Sequence, residues 1–551
     1  MKSNKFLIST ALVLGLFTSC KDELDVKNPN QPTPESAKSE SGIISLAQGG
    51  VYINGFRGLA DKYVDNVPGY FWSGAVGLHE IMGDVIGCEA ANWYLNQIGC
   101  PDEVTLDNGT VLKNPQSPAT QYGLLREINQ NANQGANPTF HEWANMYGLN
   151  NACNNILALV DNVTFVSGAD TKKNTLKAWA YWWKGYAYSR LASIYYAGVI
   201  NSEANLASSV FVSKEKLMAE ATANLDKAAG LLGGLSAGGD YDQVVGKLIP
   251  SFCLVGKGGI LTPAAWKRNI NSLKARNILV NTPVATMSAA QWSSIASLTA
   301  DGIKSGDLVF TGRSNEAGDI WAGASGTAAA KATSATPGGN TYKISERFVQ
   351  DFKAGDKRLD NNLKQDATGK PWIGNSDRGT VFNTRYYLKD GGDGMAGVIV
   401  YSNRTAGATE LYLASSFEEN ELMRAEAKIY SNDVEGGLAI IDAVRASQGA
   451  GLAATVGTGL SAAAAKEELR KERRCGLAFR GLSFYDARRW GICEKGQSRT
   501  GCRVVTQSGA NVVINVNATI KYNYLDYWDV PDNELAYNKP AAGSDPVKNP
   551  K

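Results

Sequence analysis

Histidine is almost missing from this chain, which has only His79 and His141 among 551 residues. Its 8 cysteines contain no Cys-x-x-Cys pair, so a zinc or iron–sulfur centre has little to be built from. Beyond the N-terminus there is no long apolar run, and a membrane-crossing helix needs roughly 20 such residues. An excess of one charge is missing too: 55 Lys and Arg face 53 Asp and Glu, and loss of Lys2 and Lys5 with a leader would leave 53 facing 53. Binding to nucleic acid through bulk charge is therefore not expected. A nucleophile elbow, a phosphate-binding loop, a His-Glu-x-x-His helix and a dinucleotide fingerprint are all lacking in a fitting context. Asp390 to Gly394 (DGGDG) lacks the ligand ladder of a calcium loop and reads as a turn. No cofactor is expected. Among catalysts, a glycoside hydrolase stays open as an alternative, because its paired carboxylates are defined by distance in space.

What is present begins with a leader. Lys2 and Lys5 precede an apolar stretch from Phe6 to Phe17 that is too short to span a bilayer, and Thr18-Ser19 supply small residues before Cys20. Leu16-Phe17-Thr18-Ser19-Cys20 resembles a bacterial lipobox, which implies cleavage after residue 19 and acylation of Cys20. Several acyl chains on one cysteine hold a protein firmly to a membrane. Lys21-Asp22-Glu23 resembles the acidic signal that sends such lipoproteins to the outer face of the outer membrane. The following polar stretch, with Pro29, Pro32 and Pro34, reads as a tether to about residue 40. Seven cysteines remain; Cys88 with Cys100 and Cys493 with Cys502 are near enough in sequence to consider as disulfides.

Residues 41–551 show no dividing linker and read as one domain. The dominant period is helical. Leu176, Trp179, Trp182, Trp183, Tyr186, Leu191, Ile194 and Tyr195 recur every three or four places and line one side of a long helix as core. Similar patterns run over 213–232, 263–281, 417–430, 434–447 and 462–481, with Pro263 suited to a first helical turn. Helices joined by short turns form antiparallel pairs, so the fold is expected to be mainly α, a helical-repeat scaffold at 41–281 and 417–551 in which the tetratricopeptide consensus itself is not legible. Between them, 282–416 is rich in Gly, Ala, Ser and Thr and reads as a variable, loop-rich insert.

Four segments, AWAYWWKGYAYSRLASIYYAGVI, FKAGDKRLD, the Arg-Ala-Glu-Ala and Val-Arg helices around Arg424, Glu426 and Arg445, and KERRCGLAFRGLSFYDARRWG, together resemble the SusD/RagB family. The tail adds Pro531, Glu534 and Asn538. That resemblance implies a SusD-like scaffold of degenerate tetratricopeptide-like helix pairs, and a non-catalytic surface lipoprotein of Bacteroidetes that captures an oligosaccharide and delivers it to a SusC-like TonB-dependent outer-membrane transporter; a RagB-type peptide binder is the alternative. Arg424, Glu426, Arg445, Glu472, Arg473, Asp486 and Arg488 are expected on solvated or paired helix faces, with no catalytic role.

Sugar rings stack on flat aromatic groups while their hydroxyls need amide or charged partners. Asn92, Trp93, Tyr94 and Asn96 offer this combination just after Gly83-Asp84, where the resemblance implies ligand contacts. Arg313, Asn315, Asp319 and Trp321 offer it within the insert, and Trp372 is a third candidate. The alternative for each Trp is a plug beneath its loop, whereas Trp72 and Trp490 read as core.

Overall fold

A computed structural model describes residues 36–53, 78–88, 98–115, 120–130, 132, 138–312, 342–365, 383–389, 410–493, 496–508 and 511–551. The first helices are α1 (Glu40–Gln48), α2 (Gln121–Ile128), α3 (Pro138–Leu159), α4 (Ala169–Ile194), α5 (Lys214–Gly233), α6 (Gly239–Leu248), α7 (Pro263–Val280) and α8 (Ala289–Ala300). The later ones are α9 (Glu346–Asp351), α10 (Lys357–Asn362), α11 (Phe417–Tyr430), α12 (Val434–Ser447), α13 (Ala462–Gly476), α14 (Ser483–Arg489) and α15 (Asp532–Tyr537). Packing proceeds from neighbour to neighbour: α3 on α4, α4 on α5, α5 on α7, α7 on α8, α8 on α11, and α11 on both α12 and α13. The fold is mainly helical, as the periodicity predicts.

The aromatic stripe is core throughout, with Trp179, Trp182, Trp183 and Leu191 fully buried. However, α4 buries more than one side. Ala178, Ala180, Gly185 and Ala187 are covered as well, because α3 and α5 flank the helix. A Cβ on Gly185 would meet Leu225 at 2.6 Å, so the absent side chain lets α5 approach. Trp182 and Trp183 meet edge to face at 4.4 Å, and Trp266 from α7 and Phe310 complete the cluster.

Local chemistry sets the helix ends. Thr262 Oγ1 accepts the Ala265 N–H at the start of α7, with Pro263 behind it. Ser288 and Gln291 form a capping box on α8. This helix lies in the stretch that reads as loops, where small residues weaken its pattern; Trp292 stacks on Tyr430 at 4.5 Å and docks it on α11. The period read to Gly481 stops at Gly476. Phe479 and Gly481 take left-handed backbone angles, φ +61° and +70°, and reverse the chain before α14.

Apart from one long hairpin, the strands are two or three residues each. β1 (Ile86–Cys88) pairs with β7 (Tyr342–Ile344), β4 (Ala197–Val199) with β5 (Phe211–Ser213), β6 (Thr311–Gly312) with β10 (Leu411–Tyr412), and β8 (Leu363–Gln365) with β9 (Tyr386–Leu388), all antiparallel. A hairpin of β11 (Ser498–Ser508) and β12 (Asn511–Lys521) continues through β2 (Glu103–Thr105) to β3 (Val111–Lys113). The two disulfides considered from sequence are not formed, since Cys100, Cys493 and Cys502 are buried free thiols. Cys502 is built into β11, where its thiol donates to the Arg499 carbonyl. Burial pushes the Cys100 thiol up to about 12, aided by Asp102. Among the described residues no helix is long and apolar enough to cross a membrane.

Candidate ligand-binding region

Cys20 and every candidate contact (Asn92, Trp93, Tyr94, Asn96, Arg313, Asn315, Asp319, Trp321 and Trp372) lie outside the described residues. The residues from which those stretches depart are described, and two of the departures meet. In the β1–β7 pair Cys88 stands opposite Tyr342. The segment carrying Trp93 begins at residue 89, and the segment carrying Trp321 ends at residue 341. Two stretches far apart in sequence therefore leave the same end of the same two-stranded sheet. At the other end of the second stretch, Gly312 pairs with Leu411. The third candidate segment departs from Gln365, which stands opposite Tyr386 on β9, and β9 packs against β7. Arg385, beside that strand, pairs with Glu346 through two bonds of 3.0 and 2.9 Å and so ties the β9 root to α9.

Asp84 fastens the root of the first segment. Its backbone is left-handed, φ +57°, an uncommon state for a residue with a side chain. Arg347 donates to its carboxylate from Nε at 2.9 Å and Nη2 at 2.7 Å, and Ser345 Oγ and the Tyr522 hydroxyl donate at 2.9 Å. Burial alone would raise this acid, but Arg347, with Arg474 and Arg499 behind it, outweighs burial and holds it at about 2. Arg474 spans from Asp351 to the carbonyls of Gly83 and Asp84. Gly83 itself is pressed on α14, where a Cβ would fall 2.1 Å from Ser483 Oγ. With its carboxylate committed to protein donors, Asp84 is an anchor of the region. Sequence pointed to Gly83-Asp84 as a location and gave no sign of this role, because every partner is remote in the chain.

The motif charges other than Arg488 are paired, and most are buried; Arg488 donates to the carbonyls of Ser193, Asp526 and Val280. Arg358 of the FKAGDKRLD turn donates to Asp356, Gln448 and Glu472. Glu472 also receives Arg445 Nε at 2.7 Å. Glu426 receives Arg489 Nη2 at 2.8 Å, and Asp486 is shared between Arg473 and Arg489. Motifs read separately along the sequence thus close into one lattice between α10, α11, α12, α13 and α14. Arg424 differs, pairing with Glu421 near the surface. Glu534 of the tail motif accepts the Trp143 indole N–H at 3.1 Å and an Asn538 amide hydrogen at 2.8 Å, clamping α15 on α3. Trp490 is half-buried rather than a full core residue; its ring lies under the Arg489 guanidinium at 4.7 Å.

Sequence reasoning passed over Tyr387. Its neighbour Tyr386 packs into the core, and alternation along β9 puts Tyr387 on the opposite face, half-buried beside the root of the Trp372 segment. The Arg-Tyr-Tyr-Leu run was the available signal. A cleft lined by α4, α7 and β10 offers about 20 Å³, room for a water-sized occupant.

Stacked helix pairs make the scaffold, and two of the candidate stretches depart from one end of its β1–β7 sheet. Residues 419–542 match the SusD family. Solved structures agree over most of the chain. A SusD-like protein from Bacteroides fragilis shares 15% identity at a TM-score of 0.51, covering 87% of this chain and 98% of its own. A SusD superfamily protein from Bacteroides vulgatus shares 14% at 0.51, covering 82% and 87%. A SusD-like carbohydrate binding protein from Bacteroides fragilis shares 14% at 0.50, covering 85% and 98%. No curated protein matches the sequence. The chain has the fold of these SusD-like structures, and its residues 419–542 resemble the SusD family in sequence.

Proposed function

We propose that this chain is a cell-surface lipoprotein of a Bacteroidetes outer membrane, anchored through Cys20, that binds an oligosaccharide without catalysis and hands it to a SusC-like TonB-dependent transporter. The observation that carries the reading is the register of β1 with β7: Cys88 opposite Tyr342 gives the stretches bearing Trp93 and Trp321 a common origin. Each stretch holds an aromatic face beside amide and charged groups, the pairing a sugar requires. The carbohydrate-binding relative of the same fold supports the ligand class. Tyr387 joins Trp372 as a secondary contact. Residues 1–19 are read as a cleaved leader, 20–40 as a tether and 41–551 as one folded unit.

A panel of glycans and peptides offered to the chain from residue 21 onward tests this reading. Binding to a glycan class with no product released is expected; turnover by the purified chain, or binding to peptides alone, would sink it. Against a glycan that binds, Trp93→Ala and Trp321→Ala should each weaken affinity by about 1–3 kcal/mol with little change in melting temperature. Unchanged affinity in both variants removes the assigned contacts. For the full-length protein, Cys20→Ala should move it from the membrane fraction to the soluble one in cells lacking the transporter.

A further inference from the structure

Along β12 the pairing is one-sided for much of its length. β11 lies beside it from Asn511 to Lys521, whereas β2 meets only Thr519, Ile520 and Lys521. Asp107, at the β2–β3 turn, closes the next part of that side: its carboxylate accepts the N–H groups of Val516 at 2.8 Å and Asn517 at 3.0 Å. Among the described residues no strand covers 511–515 there. The opposite side of the hairpin is different, since Asn383 donates its N–H to the Val505 carbonyl at 3.1 Å. Alternation along the ladder turns the backbone groups of Val512 and Ile514 to the open side, in step with Val516. Val505, the register partner of Ile514, likewise turns its carbonyl outward, to Asn383.

The open stretch is apolar and uncharged. Val513 and Ile514 are 41% and 42% exposed, Val512 is half-buried, and Asn-Val-Val-Ile-Asn holds neither a charge nor a proline. Exposed strand edges ordinarily carry a lysine, a proline or a bulge that blocks pairing with another chain. The outer strand of the same sheet, β3, carries Lys113. The hairpin is also fixed before any partner arrives. Gln350 receives the Arg503 N–H at 2.8 Å and donates to the Gly501 carbonyl at 2.6 Å, and Arg347 donates to the Arg503 carbonyl at 3.3 Å. A rigid edge gives up little conformational freedom on pairing.

We propose that this edge pairs with the same edge of a second copy of the chain, antiparallel about a twofold axis at Val513. The register follows from the two ends of the open stretch: the hairpin turns before Asn511, and Asp107 closes the edge from Val516. Val513 is the midpoint. Val512 of each copy then stands opposite Ile514 of the other and exchanges backbone hydrogen bonds with it, while Val513 meets its own counterpart on the other face. A charge at the axis would meet itself; the sequence places a valine there. A second copy fits this surface because an edge without charge can be laid on itself without repulsion. The surface is independent of the glycan reading.

Sedimentation equilibrium of the chain from residue 21 onward, up to roughly 1 mM, tests the proposal, since so short an interface belongs to the weak end of specific association. A monomer–dimer equilibrium is expected. Val513→Lys should abolish the dimer and leave the melting temperature unchanged, because the side chain is exposed. Val513→Cys gives a second reading. Residues of a non-hydrogen-bonded antiparallel pair have Cα atoms about 4.5 Å apart, within disulfide reach, so mild oxidation should link two copies above the parent's background. Val516 is more exposed, at 62%. Two Val516→Cys residues would nevertheless lie roughly 20 Å apart along the paired strands and should link about tenfold more slowly or less. A parent chain that stays monomeric throughout, a dimer that Val513→Lys leaves intact, or equal linking at the two cysteines would overturn the proposal.

Discussion

The two halves of the scaffold reach the same burial by opposite means. Around α4 and α7 the interior is indole and phenyl, with Trp179, Trp182, Trp183, Trp266 and Phe310 packed edge to face or tilted. Around α11, α13 and α14 it is guanidinium and carboxylate: Arg473, Arg489, Glu426 and Glu472 are as inaccessible as those tryptophans. Apolar packing asks for volume and pattern and tolerates exchange of shape. A buried ion pair asks for particular atoms at particular distances, because removing one partner strands the other. The family match falls on the charged half, at 419–542. That is the half whose residue identities the physics pins most tightly.

The comparison can be broken most directly by deleting one member of each core. Glu426→Ala strips Arg489 of its two-bond partner and should cost about 3–5 kcal/mol of stability. Trp182→Phe keeps a ring and loses no indole hydrogen bond, and should cost about 1–2 kcal/mol. Urea unfolding of both variants decides it; a larger loss from the tryptophan change would reverse the contrast.

Acid sharpens the difference next. Asp84 titrates at about 2 against an ordinary value of 3.8. Its depressed value makes its contribution fully present above about pH 4 and lost as pH falls toward 2. Asp84→Asn should therefore be less stable than the parent by about 2 kcal/mol at pH 7, with the gap closing by pH 2. A gap that persists in acid would mean that shape rather than charge holds the root.

Glu80 supplies an effect of the opposite sign. Its raised value, about 7 against 4.5, makes the folded form most favoured below pH 4.5 and progressively less so as pH rises through 7. Glu80→Gln keeps an acceptor for Gly481 and should melt above the parent at pH 8 and level with it at pH 4. A variant less stable at pH 8 would show that the charged carboxylate is needed where it lies.

Legibility in the sequence follows the same divide. The α4 stripe and the helices from 263 and 417 onward were readable because one face repeats at the helical period. Helix α3 was not read, since its Asn-rich stretch looks polar; Asn150 and Asn154 are buried because both amides reach the Asn201 carbonyl. The hairpin was hidden too: Val513, Ile514 and Val516 are exposed, so β12 does not alternate cleanly. Most charges expected on solvated or paired faces are paired and buried, through partners such as Arg358 and Glu472 that no local window contains. For the site, residue chemistry selected the stretches and only the strand register revealed that two of them share an origin.

That shared origin has a consequence for change over time. Partners across an antiparallel ladder sit roughly 4.5–5.5 Å apart whatever is attached beyond them. Closing a longer loop on fixed ends costs only about 0.6 kcal/mol for each doubling of its length. The chain beyond Cys88 and the chain before Tyr342 can therefore be lengthened, shortened or exchanged while the junction stays as it is. A protein built this way can trade one segment for another without refolding the rest.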